Sequence, residues 1–387
     1  MIKEVMVRVV KNQQCYLTYD DVLLLPEYTD FSRGDINLRT QLTKKIGLDL
    51  PLVAAPMDTV AESKLAIALA KLGGIAFIHR NLTVADQAME VKAVKQKNFL
   101  VGAAIGASSG YEDRVEVLVK TGVDVIVVDS AHGYAKNVID TIKWVKNKYP
   151  KLQVIGGNIA TKDGAEALIK AGADGLRVGM GPGAICTTRV ISGMGVPQIS
   201  AVSDCVEVAD KYSVPVIADG GIAHSGDIVK ALAAGAASVM MGSYFASAEE
   251  SPGKVVNLEA LQVPARFKSI LKDGIKIYKF KEYRGMGSVG AMKKGTKIKS
   301  EDEYHGKSYK DRVMVAEGVE GLVPVKGTVK DLVDQAVGGM KSGLYYVGAK
   351  SISELQKKAK FIQITQASLT EGHPHDILVT NAGSNYQ

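Results

Sequence analysis

Residues 153–178 decide the fold, and they read QVIGGNIATKDGAEALIKAGADGLRV. Short apolar runs open and close this stretch, at 153–157 and at 175–178. Between them, KDGAEALIKAG has the apolar periodicity of a helix and ends in a glycine, which is favoured just beyond a helix C-terminus. The stretch therefore predicts one strand–helix–strand unit.

The same unit recurs from about residue 50 to residue 250. Further helical segments read ESKLAIALAKLG, EDRVEVLVKTG and DIVKALAAG. The apolar runs are nearly continuous, which indicates strands buried on both faces of a parallel sheet. They number eight, at 52–57, 75–79, 100–105, 123–129, 153–157, 175–178, 214–218 and 237–242. Eight units in series predict an α/β fold, a (β/α)8 TIM barrel, with a doubly wound open sheet as the alternative.

Composition is that of a globular enzyme. Hydrophobic residues make up 46% and charged residues 23% of the 387 residues, which predicts a packed core. The net charge of +7 comes from basic residues spread along the chain, so we expect an anionic small substrate and no specific nucleic acid. Three cysteines without a C-x-x-C pair, and no apolar run of membrane-spanning length, predict a cytoplasmic protein with no membrane partner.

Small and polar residues follow the predicted strands, where barrels of this kind build their active sites. The sixth strand leads into GMGPGAICTTR at 179–189, whose glycines would let backbone amides and carbonyls approach a ligand or ion. Within this loop, Cys186 is either a nucleophile or, as free cysteines usually are, a small buried hydrophobe.

Two glycine loops follow the seventh and eighth strands, at 219–221 and 242–243. Loops in these places often bind phosphate through backbone amides, so they suggest a phosphorylated ribose. Asp219 would accept hydrogen bonds from the ribose hydroxyls, or it would cap the next helix. Asp129 and Asn158, after the fourth and fifth strands, are either turn residues or part of the site.

The strand–helix pattern stops after the eighth strand. Residues 268–330 are charged, glycine-rich and weakly periodic, and a structureless insertion of this length is usually a lid or flap. We predict an active-site flap over 268–330 within a single catalytic domain, 1–387, that ends in a helix and a polar tail.

The chain resembles the IMP dehydrogenase/GMP reductase family over nearly its whole length. The motifs that carry the resemblance are LTYDDVLLLP, APMDTV, VDSAHG, GMGPGAICTTR, GVPQISAV, ADGGI and YRGMGS. YRGMGS at 283–288 and EGHPHD at 371–376 resemble the dehydrogenase branch in particular. The resemblance implies NAD-dependent oxidation of IMP to XMP in guanine nucleotide biosynthesis. The alternatives are reduction of GMP by NADPH to IMP and ammonia, and a nucleotide-binding scaffold that has lost hydrolysis.

The resemblance also implies a role for each matched residue. Cys186 would attack C2 of the hypoxanthine, a hydride would pass to NAD, and water would hydrolyse the adduct, with Thr188 and Glu317 handling the proton. The implied substrate contacts are Met57, Asp219, Gly221, Gly242, Ser243, Tyr283, Met286, Gly287 and Glu317. The implied contacts on the nicotinamide side are Asp129, Ser130 and Asn158.

A potassium site and an oligomer are implied as well. Carbonyls of Gly181, Gly183 and Cys186 would bind the ion. Glu371, Gly372 and His373 of the partner subunit would complete the site. The shared site implies a homotetramer, and whether tetramers stack into an octamer is left open.

The chain departs from the family pattern in three places. Residues 97–99 run straight on where dehydrogenases commonly carry a pair of CBS regulatory modules. Ala184 stands where the family has a phosphate-contacting serine. The water-activating Arg–Tyr pair of the flap aligns with Glu303 and Tyr304, of which Tyr304 would remain catalytic. Because a carboxylate cannot donate hydrogen bonds as a guanidinium does, we expect slow hydrolysis, and the reductase alternative stays open.

Overall fold

Strand and helix alternate along most of the chain. The computed structural model describes residues 15–271, 274–298, 315–377, 379 and 383. Within them the strands are β1 Val22–Leu24, β2 Thr40–Gln41, β3 Gly47–Leu48, β4 Leu52–Ala54, β5 Ile75–Ile78, β6 Gly102–Ile105, β7 Val125–Asp129, β8 Gln153–Ile159, β9 Gly175–Val178, β10 Val216–Asp219, β11 Ser238–Met241, β12 Val255–Glu259, β13 Ile277–Arg284, β14 Glu320–Pro324 and β15 Phe361–Gln363. The α-helices there are α1 Ser63–Lys71, α2 Val84–Lys95, α3 Tyr111–Thr121, α4 Lys136–Lys148, α5 Lys162–Lys170, α6 Thr188–Ser192, α7 Gln198–Ala209, α8 Ser225–Ala233, α9 Ser243–Ala246, α10 Val289–Lys297, α11 Val329–Val347, α12 Ile352–Lys358 and α13 Gln366–Glu371.

Eight parallel strands close into a barrel in the order β10-β11-β4-β5-β6-β7-β8-β9. Val53 of β4 pairs with Ile75 of β5 on one side and with Met240 of β11 on the other, which closes the ring. Each of the eight apolar runs overlaps one barrel strand. The prediction of a closed barrel is confirmed, and the open-sheet alternative is wrong.

Two layers of apolar side chains explain why the strands are apolar throughout. The barrel interior holds Val53, Phe77, Ile155, Ile217 and Met240, all fully buried. The outer faces of the strands pack against the surrounding helices in one large core. The resulting barrel is filled by side chains, so a ligand has room only at its ends.

The ends of the described chain meet on one side of the barrel. β1 pairs with β15 in antiparallel register, from Val22 with Gln363 to Leu24 with Phe361. Helix α2 ends at Lys95 and β6 begins at Gly102, and residues 96–101 join them directly. None of the helices in the described ranges has the length and apolar character needed to span a membrane.

The expectation that residues 268–330 lack structure is wrong for their described part. β12, β13 and β14 form an antiparallel sheet, and α10 follows β13. The strand β13 was missed because Tyr278 and Phe280 point into a small core while Lys279 between them is exposed. A sheet with one buried face needs only every second residue to be apolar. The flap role of 268–330 and the single catalytic domain stay predictions.

Candidate active site

A cavity of about 330 Å³ opens at the C-terminal ends of the barrel strands. The loops after the strands line it, together with the segments around residues 283–287 and 317–318. The predicted site residues among its lining are Met57, Asp129, Ser130, Asn158, Gly181, Gly183, Cys186, Thr188, Asp219, Gly221, Gly242, Ser243, Tyr283, Met286, Gly287 and Glu317. The fold therefore brings these residues into one cavity.

A chain of hydrogen bonds runs from the thiol to a carboxylate. The Cys186 Sγ lies 3.3 Å from the Thr188 Oγ1, to which it donates. The Thr188 hydroxyl in turn donates to the Glu317 Oε2 at 2.9 Å. Cys186 is half-buried and lines the cavity, so it is not a buried core hydrophobe, and its role as a nucleophile stays a prediction.

The backbone holds Glu317 beside the cysteine loop. The Glu317 carbonyl accepts a hydrogen bond from the Thr187 amide at 3.0 Å, and the Ile185 carbonyl accepts one from the Val319 amide at 2.9 Å. On its other side, the Glu317 amide donates to the Gly287 carbonyl at 3.2 Å. The segment around Glu317 thus lies between the cysteine loop and the loop that follows β13.

The glycines of the cysteine loop have a steric explanation. Gly179 has φ +151° and Gly181 has φ +80°, values that side chains rarely tolerate. A Cβ on Gly179 would lie 2.1 Å from the Asp219 carbonyl oxygen, and one on Gly181 would lie 2.6 Å from the Arg189 side chain. Arg189 also donates to the Val196 carbonyl at 2.7 Å, which fixes the far side of the loop. The loop is therefore a rigid support for Cys186.

Sequence reasoning missed Arg177, a buried guanidinium at the centre of the site. It bonds the Asp129 carboxylate through Nη1, and its Nε donates to the Asp219 Oδ2 at 2.8 Å. The Asn158 amide donates to the same Asp219 oxygen at 2.8 Å. Residues predicted for the nicotinamide and for the ribose are thus joined through one arginine. A lone arginine in the apolar run GLRV was the signal that could have found it.

The helix-cap alternative for Asp219 is wrong. The residue that caps α8 is Asp227, whose Oδ2 accepts hydrogen bonds from the amides of Ala223 and His224 at 3.0 and 2.9 Å. Asp219 points instead toward the cavity, where Arg177 and Asn158 hold it.

Tyr283 and Gly242 lie close together in the wall of the cavity. The Tyr283 hydroxyl lies 4.0 Å from the Met57 sulfur, and a Cβ on Gly242 would lie 2.6 Å from that hydroxyl. Burial and the nearby Asp219 carboxylate raise the pKa of Tyr283 well above its usual range. The phenol therefore stays protonated and can donate a hydrogen bond to an anionic ligand.

Three predicted residues lie outside this cavity in one chain. Glu371, Gly372 and His373 lie at the end of α13, outside the cavity lining, and the His373 ring lies 6.3 Å from that of His224. Tyr304, with its neighbour Glu303, falls in 299–314, outside the described residues.

The fold and the cavity define a (β/α)8-barrel enzyme with a half-buried cysteine on the rim of its candidate active site. A family model, described as the IMP dehydrogenase / GMP reductase domain, matches residues 16–375. The chain belongs to this family.

Relatives in three organisms are each named inosine-5'-monophosphate dehydrogenase. The one from Cryptosporidium parvum is 42% identical over 96% of this chain and 97% of its own length. The one from Borreliella burgdorferi is 41% identical over 93% and 97%. The one from Aquifex aeolicus is 36% identical over 98% and 99%. That last alignment spans 509 positions and so includes a long stretch with no counterpart in these 387 residues.

Proposed function

We propose that this protein is an IMP dehydrogenase, which oxidises IMP to XMP with NAD as the hydride acceptor. The observation that carries the proposal is the hydrogen-bonded chain from Cys186 through Thr188 to Glu317 at the cavity. The relatives named IMP dehydrogenase, 36–42% identical over nearly the whole chain, support this direction of the reaction.

The Cys186 thiol forms a bond to the substrate in the first step and is released in the second. The Cys186 Sγ adds to C2 of the hypoxanthine, and the C2 hydrogen leaves with its electron pair to NAD. Water then attacks C2 of the adduct, the C2–S bond breaks, and the thiol is regenerated. In sum, IMP, NAD and water give XMP, NADH and a proton. The Thr188 hydroxyl lies between the sulfur and the Glu317 carboxylate, so this pair can take the proton of the attacking water.

The nucleotide is oriented by the loops around the cavity. Gly221, Gly242 and Ser243, which follow β10 and β11, line the cavity together with Tyr283. Their backbone amides would bind the phosphate, and the Tyr283 phenol would donate nearby. Met286 and Gly287 border the base. The Asp219 Oδ2 takes its hydrogen bonds from Arg177 and Asn158, and its second oxygen accepts from the ribose hydroxyls.

We place the nicotinamide on one side of the cavity. There Asp129, Ser130 and Asn158 line the cavity beside Arg177. These residues would hold the nicotinamide ring of NAD, which would supply the hydride acceptor. The protein's own contribution is to orient the two ligands and to exclude water until the hydride has left.

A paired cofactor assay tests the proposal. The enzyme is incubated with IMP plus NAD, and separately with GMP plus NADPH, and the absorbance of the reduced cofactor is followed. We expect it to rise with the first pair. Activity with the second pair alone would make the protein a GMP reductase. Activity with neither pair, while IMP still protects Cys186 from alkylation, would make it a binding scaffold.

We expect potassium to stimulate turnover several-fold more than sodium or lithium does. Backbone carbonyls suit a large monovalent cation, and the bare, rigid backbone at Gly181, Gly183 and Cys186 can offer them. Three carbonyls are too few for the ion, so the site needs Glu371, Gly372 and His373 of the partner subunit. A homotetramer, the assembly proposed here, would supply them.

The cation effect has a second readout in the alkylation rate of Cys186. Bound potassium should order the cysteine loop and change that rate even without NAD. Turnover and alkylation are compared in desalted enzyme with each chloride salt at equal ionic strength. Indifference of both to the cation would show that the C-terminal residues have another role.

We expect a burst of NADH followed by slow turnover, because Glu303 aligns with the arginine that activates water. Loss of such a base costs about 10²–10⁴ in rate. Rapid-mixing absorbance measures both phases. Glu303→Arg should raise the steady state and leave the burst unchanged, whereas Tyr304→Phe should lower the steady state. If the wild type shows no burst and Glu303→Arg is neutral or harmful, then another residue, such as Lys307, Lys310 or Arg312, activates water or the natural reaction is GMP reduction. The assay with GMP plus NADPH decides between these two.

A further inference from the structure

A fully buried carboxylate lies directly behind the cavity. Asp58 follows Met57 after β4, and its side chain is 0% exposed. The Arg284 guanidinium bonds both of its oxygens, with Nε to Oδ1 at 3.0 Å and Nη2 to Oδ2. The Asn81 amide donates to the Oδ2 at 2.8 Å. Burial would raise the pKa of Asp58, but the hydrogen bonds and charge of Arg284 hold it below its usual value, so the carboxylate is ionised.

This carboxylate joins four segments that lie at or behind the cavity wall. Met57 and Tyr283 line the cavity, and each is the chain neighbour of one member of the ion pair. Asn81, which lies beyond β5, also donates to the Ala291 carbonyl of α10 at 3.2 Å. The loops after β4 and β5, the end of β13 and the helix α10 therefore meet at Asp58.

The loop of residues 285–287 is held from both sides. At one end it continues from Arg284, whose guanidinium is hydrogen-bonded to the Asp58 carboxylate. Beyond Arg284, the Gly285 amide donates to the Val319 carbonyl at 3.0 Å, and the Gly287 carbonyl accepts from the Glu317 amide at 3.2 Å. Asp58 and Arg284 do not line the cavity, whereas Gly285, Met286 and Gly287 do.

We propose that Asp58 and Arg284 are a positioning pair. The two hydrogen bonds between them hold the loop of Met286 and Gly287 in the position where it binds the purine base. The inference rests on the proposed function, because that loop borders the base. Neither residue touches the substrate. Two hydrogen bonds between a planar guanidinium and a buried carboxylate fix the orientation of the arginine side chain as well as its distance from the carboxylate. A single hydrogen bond would not fix the orientation.

Arg284→Lys tests the pair, because lysine keeps the charge and loses the second bond. We expect the KM for IMP to rise about tenfold, with the kcat at saturating IMP and the KM for NAD each within about threefold of wild type. Asp58→Asn, which keeps the size and one acceptor oxygen, should shift the KM for IMP in the same direction. Steady-state kinetics and the melting temperature are measured for both variants on the full chain.

Lys146→Gln is the matched control. It breaks the Lys146–Asp174 pair (2.7 Å, side chains 18% and 11% exposed), which lies at the opposite end of the barrel. This change should lower the melting temperature without altering the KM for IMP. The inference is overturned if Arg284→Lys, or Asp58→Asn where the first variant does not fold, behaves like this control. Wild-type enzyme inactive with IMP and NAD would instead overturn the proposed function.

Discussion

Cys186→Ala is expected to abolish IMP oxidation and to leave IMP binding nearly unchanged. The sulfur forms the bond from which the hydride leaves, so no part of the reaction survives its removal. We expect turnover to fall by more than about 10⁴, as losses of covalent nucleophiles do. In the variant, the nucleotide still contacts the loops proposed to bind its phosphate, together with Asp219 and Tyr283. Steady-state absorbance measures the loss, and titration calorimetry with IMP measures the binding.

The remaining cysteines provide the controls. Cys15 is exposed and lies outside the cavity lining, so Cys15→Ser should turn over like wild type. In that background a thiol alkylator reports on Cys186, because burial raises the pKa of Cys205 to about 12 and keeps it unreactive. IMP should slow the alkylation. Substantial turnover by Cys186→Ala would contradict the covalent mechanism outright.

The barrel could be predicted because its physics is visible in a single sequence. A strand buried on both faces is nearly continuously apolar, as in 125–128, and a glycine follows many of the helices between. The sheet of β12, β13 and β14 could not be found in this way. Only one of its faces is buried, so β13 reads as IYKFKEYR, in which lysines and apolar residues alternate over too short a span.

The site was predictable where a local motif carries it and was missed where distant residues meet. The glycine-rich loops could be recognised from the sequence, because each directly follows a predicted strand. The partnership of Thr188 with Glu317 spans 129 residues and entered only through the family resemblance. Arg177 was missed because periodicity does not tell which face of a short strand points into the barrel. The capping role of Asp227 was readable, since it stands at the third position of α8, where a capping box places its acid.

Glu317→Gln is expected to slow steady-state IMP oxidation by about 10²–10⁴ and to preserve the burst of NADH. Glutamine keeps the size of the side chain, and its amide oxygen can still accept from the Thr188 hydroxyl. It cannot take up a proton, so the proton of the attacking water loses its acceptor while the earlier hydride transfer continues. Rapid-mixing absorbance separates the two phases.

Matched variants separate proton transfer from shape. Thr188→Ser keeps the hydroxyl between sulfur and carboxylate and should retain most activity, whereas Thr188→Val should behave like Glu317→Gln. Glu282→Gln changes an exposed carboxylate on β13, away from the cavity, and should behave like wild type. A different outcome would be that Glu317→Gln suppresses the burst as strongly as the steady state. The Glu317 carboxylate would then be receiving the thiol proton in the first step. Another group would have to accept the proton of the water.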